Sequence, residues 1–117
     1  MTIKKLIPAK GDFISVTFDP QSGHEQRGRR PALVISSHLF NEKTGLAIVC
    51  PITSTNRNWP LHVRLPDTCA INGVVMVEQV KSIDFISRHA KLIEKAPQEV
   101  LNEVLAILDA CIFDEGN

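Results

Sequence analysis

The side chains best suited to chemistry in this 117-residue chain gather between residues 24 and 30. The segment holds a potential base, a carboxylate and three guanidinium groups: His24, Glu25, Arg27, Arg29 and Arg30. Arginine remains charged at any working pH, and its planar fork binds phosphate oxygens in pairs. The segment therefore predicts a site for a phosphate group. A charged loop can also be a plain solvated surface, and residue types alone leave that alternative open.

The elements that must position these side chains are strands, because the apolar spacing before residue 96 is that of β-structure. Ile14, Val16 and Phe18 alternate with polar residues, which is the pattern of a half-buried strand. Residues 19–30 contain proline, glycine and charges without an apolar period, and they predict a long exposed loop. Further strands are predicted at 32–35, 46–50, 61–65 and, as one long strand, 73–83, with a helical turn within 36–45.

Pro51 follows the apolar run at residues 46–50 and has no N–H with which to join a β-ladder. We therefore expect a bulge at Pro51 that turns Thr53 and Ser54 out of the sheet. Bulges often lie beside functional sites, so these two hydroxyl groups are candidates for a site at the end of the strand.

The last part of the chain predicts a helix that begins at Pro97 and packs on the sheet. Apolar residues recur there at helical spacing: Val100, Leu101, Val104, Leu105, Leu108 and Ile112. Proline suits the first turn of a helix, and Gly116 lies beyond the end of the pattern. Many short strands followed by one amphipathic helix predict a β-rich α+β fold, in which the helix covers a curved antiparallel sheet or small barrel. The length predicts a single domain spanning residues 1–117.

Composition limits the classes of function. The formal net charge is zero, so a polyanion must be held by a local cluster of cations. Three widely spaced cysteines, an odd number, predict reduced structural thiols. No apolar stretch is long enough to cross a membrane and the first residues do not form a signal peptide, so we expect a soluble, cytoplasmic protein. His38, His62 and His89 are scattered without ligand spacing, so no metal site is predicted.

An ordered set of motifs runs along nearly the whole chain. It consists of Gly11-Asp12, Phe18-Asp19-Pro20, Gly23-His24-Glu25-Gln26, Gly28-Arg29-Arg30-Pro31-Ala32, Asn41-Glu42-Lys43-Thr44-Gly45, Pro51-Ile52-Thr53 and Gln79-Val80-Lys81-Ser82-Ile83. With these motifs the chain resembles the MazF/PemK family of toxin endoribonucleases, from Gly11 to the terminal helix. The resemblance implies a small SH3-like antiparallel β-barrel with a long C-terminal helix and a short helix between strands, usually paired into a homodimer.

The resemblance also implies an activity, the sequence-specific and metal-independent cleavage of single-stranded RNA such as mRNA. The 2′-hydroxyl of the RNA attacks the adjacent phosphate and leaves a 2′,3′-cyclic phosphate and a 5′-hydroxyl, without a cofactor. The resemblance further implies a partner, a cognate MazE-like antitoxin whose acidic segment folds across the toxin and blocks the RNA channel.

Roles for individual residues follow by position from the same resemblance. Arg30 corresponds to the catalytic arginine of the family's Arg-Pro pair, and Thr53 to the catalytic threonine at the end of the third strand. Arg30 would neutralise charge that grows on the phosphate oxygens, and Thr53 would donate a hydrogen bond to one of them. Glu25 is the candidate general base, with His24 as the alternative. Without the family, an ion pair for Arg30 and a turn cap for Thr53 remain open.

Base recognition requires aromatic and guanidinium planes on which unstacked bases lie, and polar groups that read the base edges. The predicted RNA-binding residues are Phe18, His24, Gln26, Arg27, Arg29, Trp59, Gln79 and Lys81. Phe18 continues the apolar face of Ile14 and Val16, so the pattern alone assigns it to the core rather than to a stacking platform. The loops at residues 54–60 and 66–72 are expected to tune the preferred RNA motif.

Two other classes of function remain open at this stage. A related toxin group with the same fold traps a DNA topoisomerase through its terminal helix, and a non-catalytic module of this fold would hold RNA or a partner without cutting. The products separate the three classes, because only the nuclease leaves cyclic-phosphate ends and only the topoisomerase poison leaves protein-linked DNA breaks. The presence of both Arg30 and Thr53 favours the nuclease.

Overall fold

The computed structural model describes residues 6–18, 28–55 and 59–114. Its elements, in chain order, are β1 Asp12–Thr17, β2 Arg29–Val34, α1 His38–Thr44, β3 Leu46–Thr53, β4 His62–Arg64, β5 Val74–Met76, a 3-10 turn Val77–Gln79, β6 Lys81–Asp84, β7 Lys91–Lys95 and α2 Gln98–Phe113. None of the helices in these segments is long and apolar enough to cross a membrane.

The strands form one sheet with the order β4-β5-β3-β2-β1-β7, and β6 pairs with β3 beside that path. All of these pairings are antiparallel. β3 is the central strand: one edge pairs with β2, and the other pairs with β6 along its first half and with β5 at its end. The predicted β-rich α+β class, an antiparallel sheet with a C-terminal helix, is confirmed.

Each face of the sheet carries its own apolar cluster, because successive side chains of a strand point to opposite faces. The helix-side cluster joins one face to α2, and its buried members include Phe13, Leu33, Cys50, Ile52, Val63, Val75, Val100, Leu101 and Val104. The opposite-face cluster consists of Ile14, Val16, Ala32, Val34, Ala47, Val49, Ile83 and Phe85. Each large side chain buried in this way stabilises the fold by about 1.5–3 kcal/mol.

The terminal helix is confirmed, with Pro97 immediately before its first residue. Its buried residues Val100, Leu101 and Val104 lie in its first half, whereas Cys111 in its last turn is exposed. The prediction of a structural thiol is therefore wrong for Cys111, whereas Cys50 and Cys69 are buried and unpaired as expected.

The bulge predicted at Pro51 is wrong. β3 runs without interruption from Leu46 to Thr53, with Pro51 buried opposite Ala32. Pro51 lies where the other edge of β3 changes its partner from β6 to β5, a place where no ladder N–H is required. Thr53 consequently stays in the sheet, opposite Val74, and is not turned out of it.

The single strand predicted over residues 73–83 is also wrong, because the 3-10 turn Val77–Gln79 divides it into β5 and β6. The cause is the register along β3. Val75 lies opposite Ile52 and Lys81 lies opposite Val49. The chain therefore advances six residues from Val75 to Lys81 while the paired positions on β3 advance only three. The compact turn takes up the excess length.

The helical turn predicted within residues 36–45 is confirmed as α1. The Ser37 hydroxyl accepts a hydrogen bond from the Phe40 N–H at 3.1 Å, and Gly45 ends the helix at a φ of 72°. Two expectations differ at strand ends. β2 already begins at Arg29, inside the predicted loop, and the edge strand β7 was not predicted because charged residues interrupt its apolar pattern.

Candidate active site

Arg30 and Thr53 reach the same face of the sheet through strand register. Arg30 lies opposite Val16 on β1, whereas Ala32 lies opposite Pro51 on β3. Continuing the second register by two residues places Thr53 opposite Arg30, and the period of two sends both side chains to the face of the opposite-face cluster. Two residues that are 23 positions apart in sequence therefore lie on neighbouring strands at one end of the sheet.

Arg29 and Arg30 are adjacent in β2 but occupy opposite faces and different environments. The Arg29 guanidinium donates to the Ser15 hydroxyl at 3.0 Å, the Ser15 carbonyl at 2.7 Å and the Thr17 hydroxyl at 3.3 Å. It also donates to the His89 carbonyl at 2.8 Å, so it ties β2 to β1 and to the turn before β7. Arg30 is exposed, and within the described residues it has no hydrogen-bond or ion-pair partner.

Thr53 is the last residue of β3, and its hydroxyl oxygen accepts a hydrogen bond from the Thr55 N–H at 3.2 Å. A hydroxyl has one proton to donate, and no acceptor for it lies among the described residues. Thr53 therefore caps the turn, as residue type alone suggested, and keeps its donor available. Gly73 packs against the Thr53 carbonyl group so closely that any Cβ would overlap it, and its φ of +127° is one that L side chains rarely adopt.

A cavity of about 400 Å³ opens beside Thr53. Its walls are Thr53, Thr55, Trp59, His62, Met76, Glu78 and Gln79. Three of these, Thr53, Trp59 and Gln79, were predicted as site residues, and the Trp59 side chain is half exposed as expected of a stacking residue. Of the other four, Thr55 follows the end of β3, His62 and Met76 come to the cavity through the pairing of β4 with β5, and Glu78 comes through the 3-10 turn.

His62 and Glu78 form a pair in the cavity wall that the sequence did not reveal. His62 Nε2 lies 3.1 Å from Glu78 Oε2, and the two side chains are 5% and 21% exposed. The Trp59 ring stands edge-on to the His62 ring, with centroids 5.3 Å apart. His62 was assigned to the scattered histidines because its partner lies 16 residues away, across a strand pairing that no local pattern announces.

Phe18 and Lys81 lie together on the same sheet face. The Lys81 ammonium nitrogen is 5.2 Å from the centre of the Phe18 ring, within the range of a cation–π contact. Phe18 is half buried against the opposite-face cluster, so it belongs to the edge of the core, as its alternation with Ile14 and Val16 indicated. Lys81 gives this edge a positive charge.

The backbone around Phe18 is fixed by several hydrogen bonds. The Phe18 N–H donates to the Gly28 carbonyl at 3.0 Å, and Arg88 donates to the carbonyls of Phe18 at 2.6 Å and Thr17 at 3.2 Å. Residues 18 and 28, which flank residues 19–27, are thereby joined two positions before Arg30. The predicted site residues within that segment lie outside the described residues: His24, Glu25, Gln26 and Arg27.

Glu78 also acts on the chemistry of Cys50, which lies on the helix-side face of β3. Burial, and secondarily the negative charge of Glu78, raise the pKa of the Cys50 thiol to about 12. A thiol with that pKa stays protonated near neutral pH and is no nucleophile. Within residues 6–18, 28–55 and 59–114, no three His, Cys, Asp or Glu side chains gather as metal ligands.

Residues 9–112 match the protein family described as PemK-like, MazF-like toxin of type II toxin-antitoxin system. The chain is 42% identical to the endoribonuclease toxin ChpB of Escherichia coli (strain K12) over 118 residues, which cover 94% of this chain and 98% of that protein. It is 39% identical to the endoribonuclease toxin MazF of the same organism over 99 residues, which cover 84% of this chain and 88% of that protein.

Solved structures share the fold along nearly the whole chain. A crystal structure of MazF (Form-I) from Deinococcus radiodurans has a TM-score of 0.83 at 41% identity, covering 92% of this chain and 98% of that one. A crystal structure of MazE-MazF (Form-II) from the same organism has a TM-score of 0.82 at 35% identity, covering 92% and 97%.

Proposed function

Because the chain belongs to the PemK-like, MazF-like toxins of type II toxin-antitoxin systems, we propose that it is an endoribonuclease toxin that cuts single-stranded mRNA at specific sequences. The relatives named as endoribonucleases support this proposal over almost the full length of the chain. The observation that carries it furthest is the placement of Arg30 and the donor hydroxyl of Thr53 on one sheet face, with a cavity beside Thr53. Arg30 has no partner in the described part of the chain.

The proposed reaction is an intramolecular phosphoryl transfer that needs no metal and no cofactor. The 2′-oxygen of the RNA forms a bond to the adjacent phosphorus, the bond from phosphorus to the 5′-oxygen breaks, and the departing oxygen takes up a proton. Arg30 neutralises the charge that grows on the non-bridging oxygens, and Thr53 donates a hydrogen bond to one of them. Glu25 is the proposed base that removes the 2′-hydroxyl proton.

Binding of the RNA strand is assigned to the same face and to the loop that precedes Arg30. Trp59 and Gln79 lie in the cavity wall, and Phe18 with Lys81 forms a second platform with a positive charge. His24, Gln26 and Arg27 complete the proposed contacts from the loop. Arg29, whose guanidinium is bonded to β1, supports the site by holding β2 in place.

We further propose the assembly that the resemblance implies. The single domain closes as a small SH3-like barrel, works as a homodimer in the cytoplasm, and is neutralised by a cognate MazE-like antitoxin. The relatives of known structure include MazE-MazF complexes. An acidic antitoxin segment would meet the charges of Arg30 and Lys81, which also serve the RNA phosphates.

The decisive experiment incubates the purified protein with a long single-stranded RNA in the presence of EDTA and maps the cut sites and end groups. Discrete cuts with 2′,3′-cyclic phosphate and 5′-hydroxyl ends are expected. Arg30→Ala and Thr53→Val should each slow cleavage about a hundredfold or more. Lys43→Ala is the control for the loss of a surface charge. Lys43 is exposed in α1, which leads into the first residue of β3, whereas Thr53 is the last residue of that strand.

Three other outcomes would overturn the proposal in different directions. Cleavage that EDTA abolishes would exclude the metal-independent reaction. Intact RNA together with protein-linked DNA breaks would assign the chain to the topoisomerase poisons. Intact RNA without DNA breaks would leave a binding module.

A further inference from the structure

We propose that His62 and Glu78 form a reading element that recognises the exocyclic amino group of one RNA base next to the cleaved bond. The inference rests on the proposed ribonuclease function and deepens it, since it names a specificity determinant and the chemical group that it reads. Neither residue belongs to the predicted catalytic or RNA-binding set.

The first support is a pair of unsatisfied polar atoms. His62 Nε2 and Glu78 Oε2 are bonded to each other, whereas His62 Nδ1 and Glu78 Oε1 are buried and have no partner among the residues that the structure describes. Buried polar atoms nearly always have a hydrogen-bond partner, because an unmade bond destabilises the fold. Two such atoms in one pair, in the wall of a cavity, indicate a site whose bonds are completed by a ligand.

The second support is the chemical character of these two atoms. A carboxylate only accepts hydrogen bonds, so the Nε2 atom that faces Glu78 is the donor of this pair. In the tautomer whose single proton lies on Nε2, Nδ1 is an acceptor, and we assign this tautomer to His62 from its contact with Glu78. The complementary ligand must therefore donate N–H bonds. Adenine, cytosine and guanine each carry an exocyclic amino group with two N–H donors, whereas uracil has no amino group and carries a carbonyl oxygen where cytosine has its amino group.

The third support is location. The cavity that holds the pair is also lined by Thr53, the proposed phosphate contact, and by Trp59. Its volume of about 400 Å³ lies in the usual range for small-ligand sites. Trp59 covers the His62 ring edge-on and is half exposed, so an outward turn of Trp59 opens the pair and offers the entering base an aromatic plane.

The test uses short RNA substrates built on the cut motif of the wild-type protein. Each amino-bearing base is replaced in turn by its analogue without the amino group: purine riboside for adenosine, inosine for guanosine and pyrimidin-2-one riboside for cytidine. At one position beside the cut, we expect wild-type kcat/KM to fall about tenfold or more. At the other positions the same deletion should have a smaller effect.

The same substrates are then given to Glu78→Gln, in which the unsatisfied acceptor can be replaced by an amide donor. This variant should lose the discrimination at that position and tolerate uracil there. Glu103→Gln removes an exposed carboxylate on α2 and should keep the wild-type preference. His62→Phe keeps an aromatic ring beside Trp59, removes the partner of Glu78, and should weaken the discrimination.

The outcomes separate this inference from the proposed function. A wild-type protein that cuts RNA but shows no position sensitive to the amino group overturns the inference alone. A sensitive position that persists in a folded Glu78→Gln also overturns it, since the reading then comes from elsewhere. If Glu78→Gln does not fold, His62→Phe decides: discrimination at the sensitive position that stays at the wild-type level in this variant overturns the inference. A wild-type protein that leaves all RNA intact overturns both proposals.

Discussion

Two adjacent arginines show how a strand assigns roles to single residues. Arg29 and Arg30 share a side-chain type and a place in one motif, but the alternation of β2 sends their guanidinium groups to opposite faces. Arg29 is bonded to Ser15, Thr17 and the His89 carbonyl, and Arg30 is exposed on the sheet face that also carries Thr53. One arginine therefore contributes to the fold and the other is available to a phosphate.

The contrast predicts opposite results for two matched substitutions. Arg29→Ala should lower the free energy of unfolding by about 2 kcal/mol, because several part-buried hydrogen bonds are lost together. Arg30→Ala should change the free energy of unfolding by less than about 0.5 kcal/mol, since it removes an exposed side chain. Urea denaturation followed by circular dichroism measures both.

Cleavage assays on the same two variants complete the comparison. Arg30→Ala should be nearly inactive while fully folded, and Arg29→Ala should retain activity at temperatures where it is folded. Equal destabilisation by the two substitutions would contradict the assignment of Arg29 to the framework.

At the residue scale, the sequence predicted the site unevenly. Arg30 and Thr53 could be predicted as candidates because they lie in motifs that are contiguous in sequence, and the structure brings the two onto one sheet face. His62 and Glu78 could not, because each lies among ordinary strand or turn residues and the pair exists only through the register of β4 with β5. A single sequence contains no local signal for that register, which depends on the length and shape of the chain between the two strands.

At the scale of elements, β3 is the strand that organises the site. Its change of partner at Pro51 brings β5, and with it the 3-10 turn that carries Glu78 and Gln79, to the side of Thr53. The sequence predicted β3, but the bulge predicted at Pro51 was wrong. The missing N–H of proline can be read from the local sequence, whereas the exchange of strand partners beside it cannot. The prediction of one undivided strand over residues 73–83 was wrong for the same reason, since β5 and β6 are the two partners that β3 exchanges.

The close packing between β3 and the start of β5 leads to a prediction for Gly73. A Cβ at Gly73 would overlap the Thr53 carbonyl group, and the φ of +127° disfavours any L side chain. Gly73→Ala should therefore destabilise the fold by about 1–3 kcal/mol and displace Thr53, with a loss of cleavage in the fraction that remains folded. Thermal unfolding and single-turnover cleavage are the measurements.

Gly45 supplies the matched control for Gly73. Its φ is +72°, but a Cβ there meets nothing within 4 Å. Gly45→Ala should cost about 1 kcal/mol from the backbone alone and leave cleavage at the wild-type rate. A Gly73→Ala variant with normal cleavage would show that the position of Thr53 tolerates the displaced strand.

A second prediction at this scale concerns Asn41, which ties α1 to the rest of the fold. Its buried amide donates to the Pro8 carbonyl at 2.7 Å and to the Ser36 carbonyl at 3.3 Å, and its oxygen accepts from the Ser36 hydroxyl. Asn41→Ala leaves these groups without partners, so the free energy of unfolding should fall by about 2–3 kcal/mol. The exposed neighbour Glu42 provides the control, and Glu42→Ala should be nearly neutral in the same denaturation experiment.

The two faces of the sheet have different functions in the molecule. The helix-side cluster under α2 supplies much of the burial, whereas the opposite face ends in the exposed Arg30 and the cavity beside Thr53. Because the formal net charge is zero, a polyanion must be held by a local group of cations, and Arg30 and Lys81 lie on this face. β3 contributes to both faces, because its side chains pack under α2 on one face and it carries Thr53 on the other.

Cys50 lies on the packed, helix-side face of β3, and its burial can be measured through the pH dependence of stability. Its pKa is raised from 9.0 to about 12, chiefly by burial and further by the charge of Glu78 across the strand. Below about pH 9 the thiol is protonated in both the folded and the unfolded chain, and its contribution to stability is fully present. Between about pH 9 and about pH 12 the unfolded chain loses the proton first, so stability falls as pH rises.

We expect the difference in the free energy of unfolding between the wild type and Cys50→Ala, here called the gap, to become smaller as the pH rises. Cys50→Ala should be less stable than the wild type near neutral pH, since it leaves a small cavity. From about pH 9 to about pH 10.5 the gap should shrink by roughly 1–2 kcal/mol, because only the wild type has this thiol to ionise on unfolding. Urea denaturation at each pH measures the gap, and Cys111→Ala, which removes an exposed thiol, is the control. A gap that stays constant for Cys50→Ala would mean that the thiol ionises as readily in the folded chain as in the unfolded one, and that β3 is not sealed from water on its packed face.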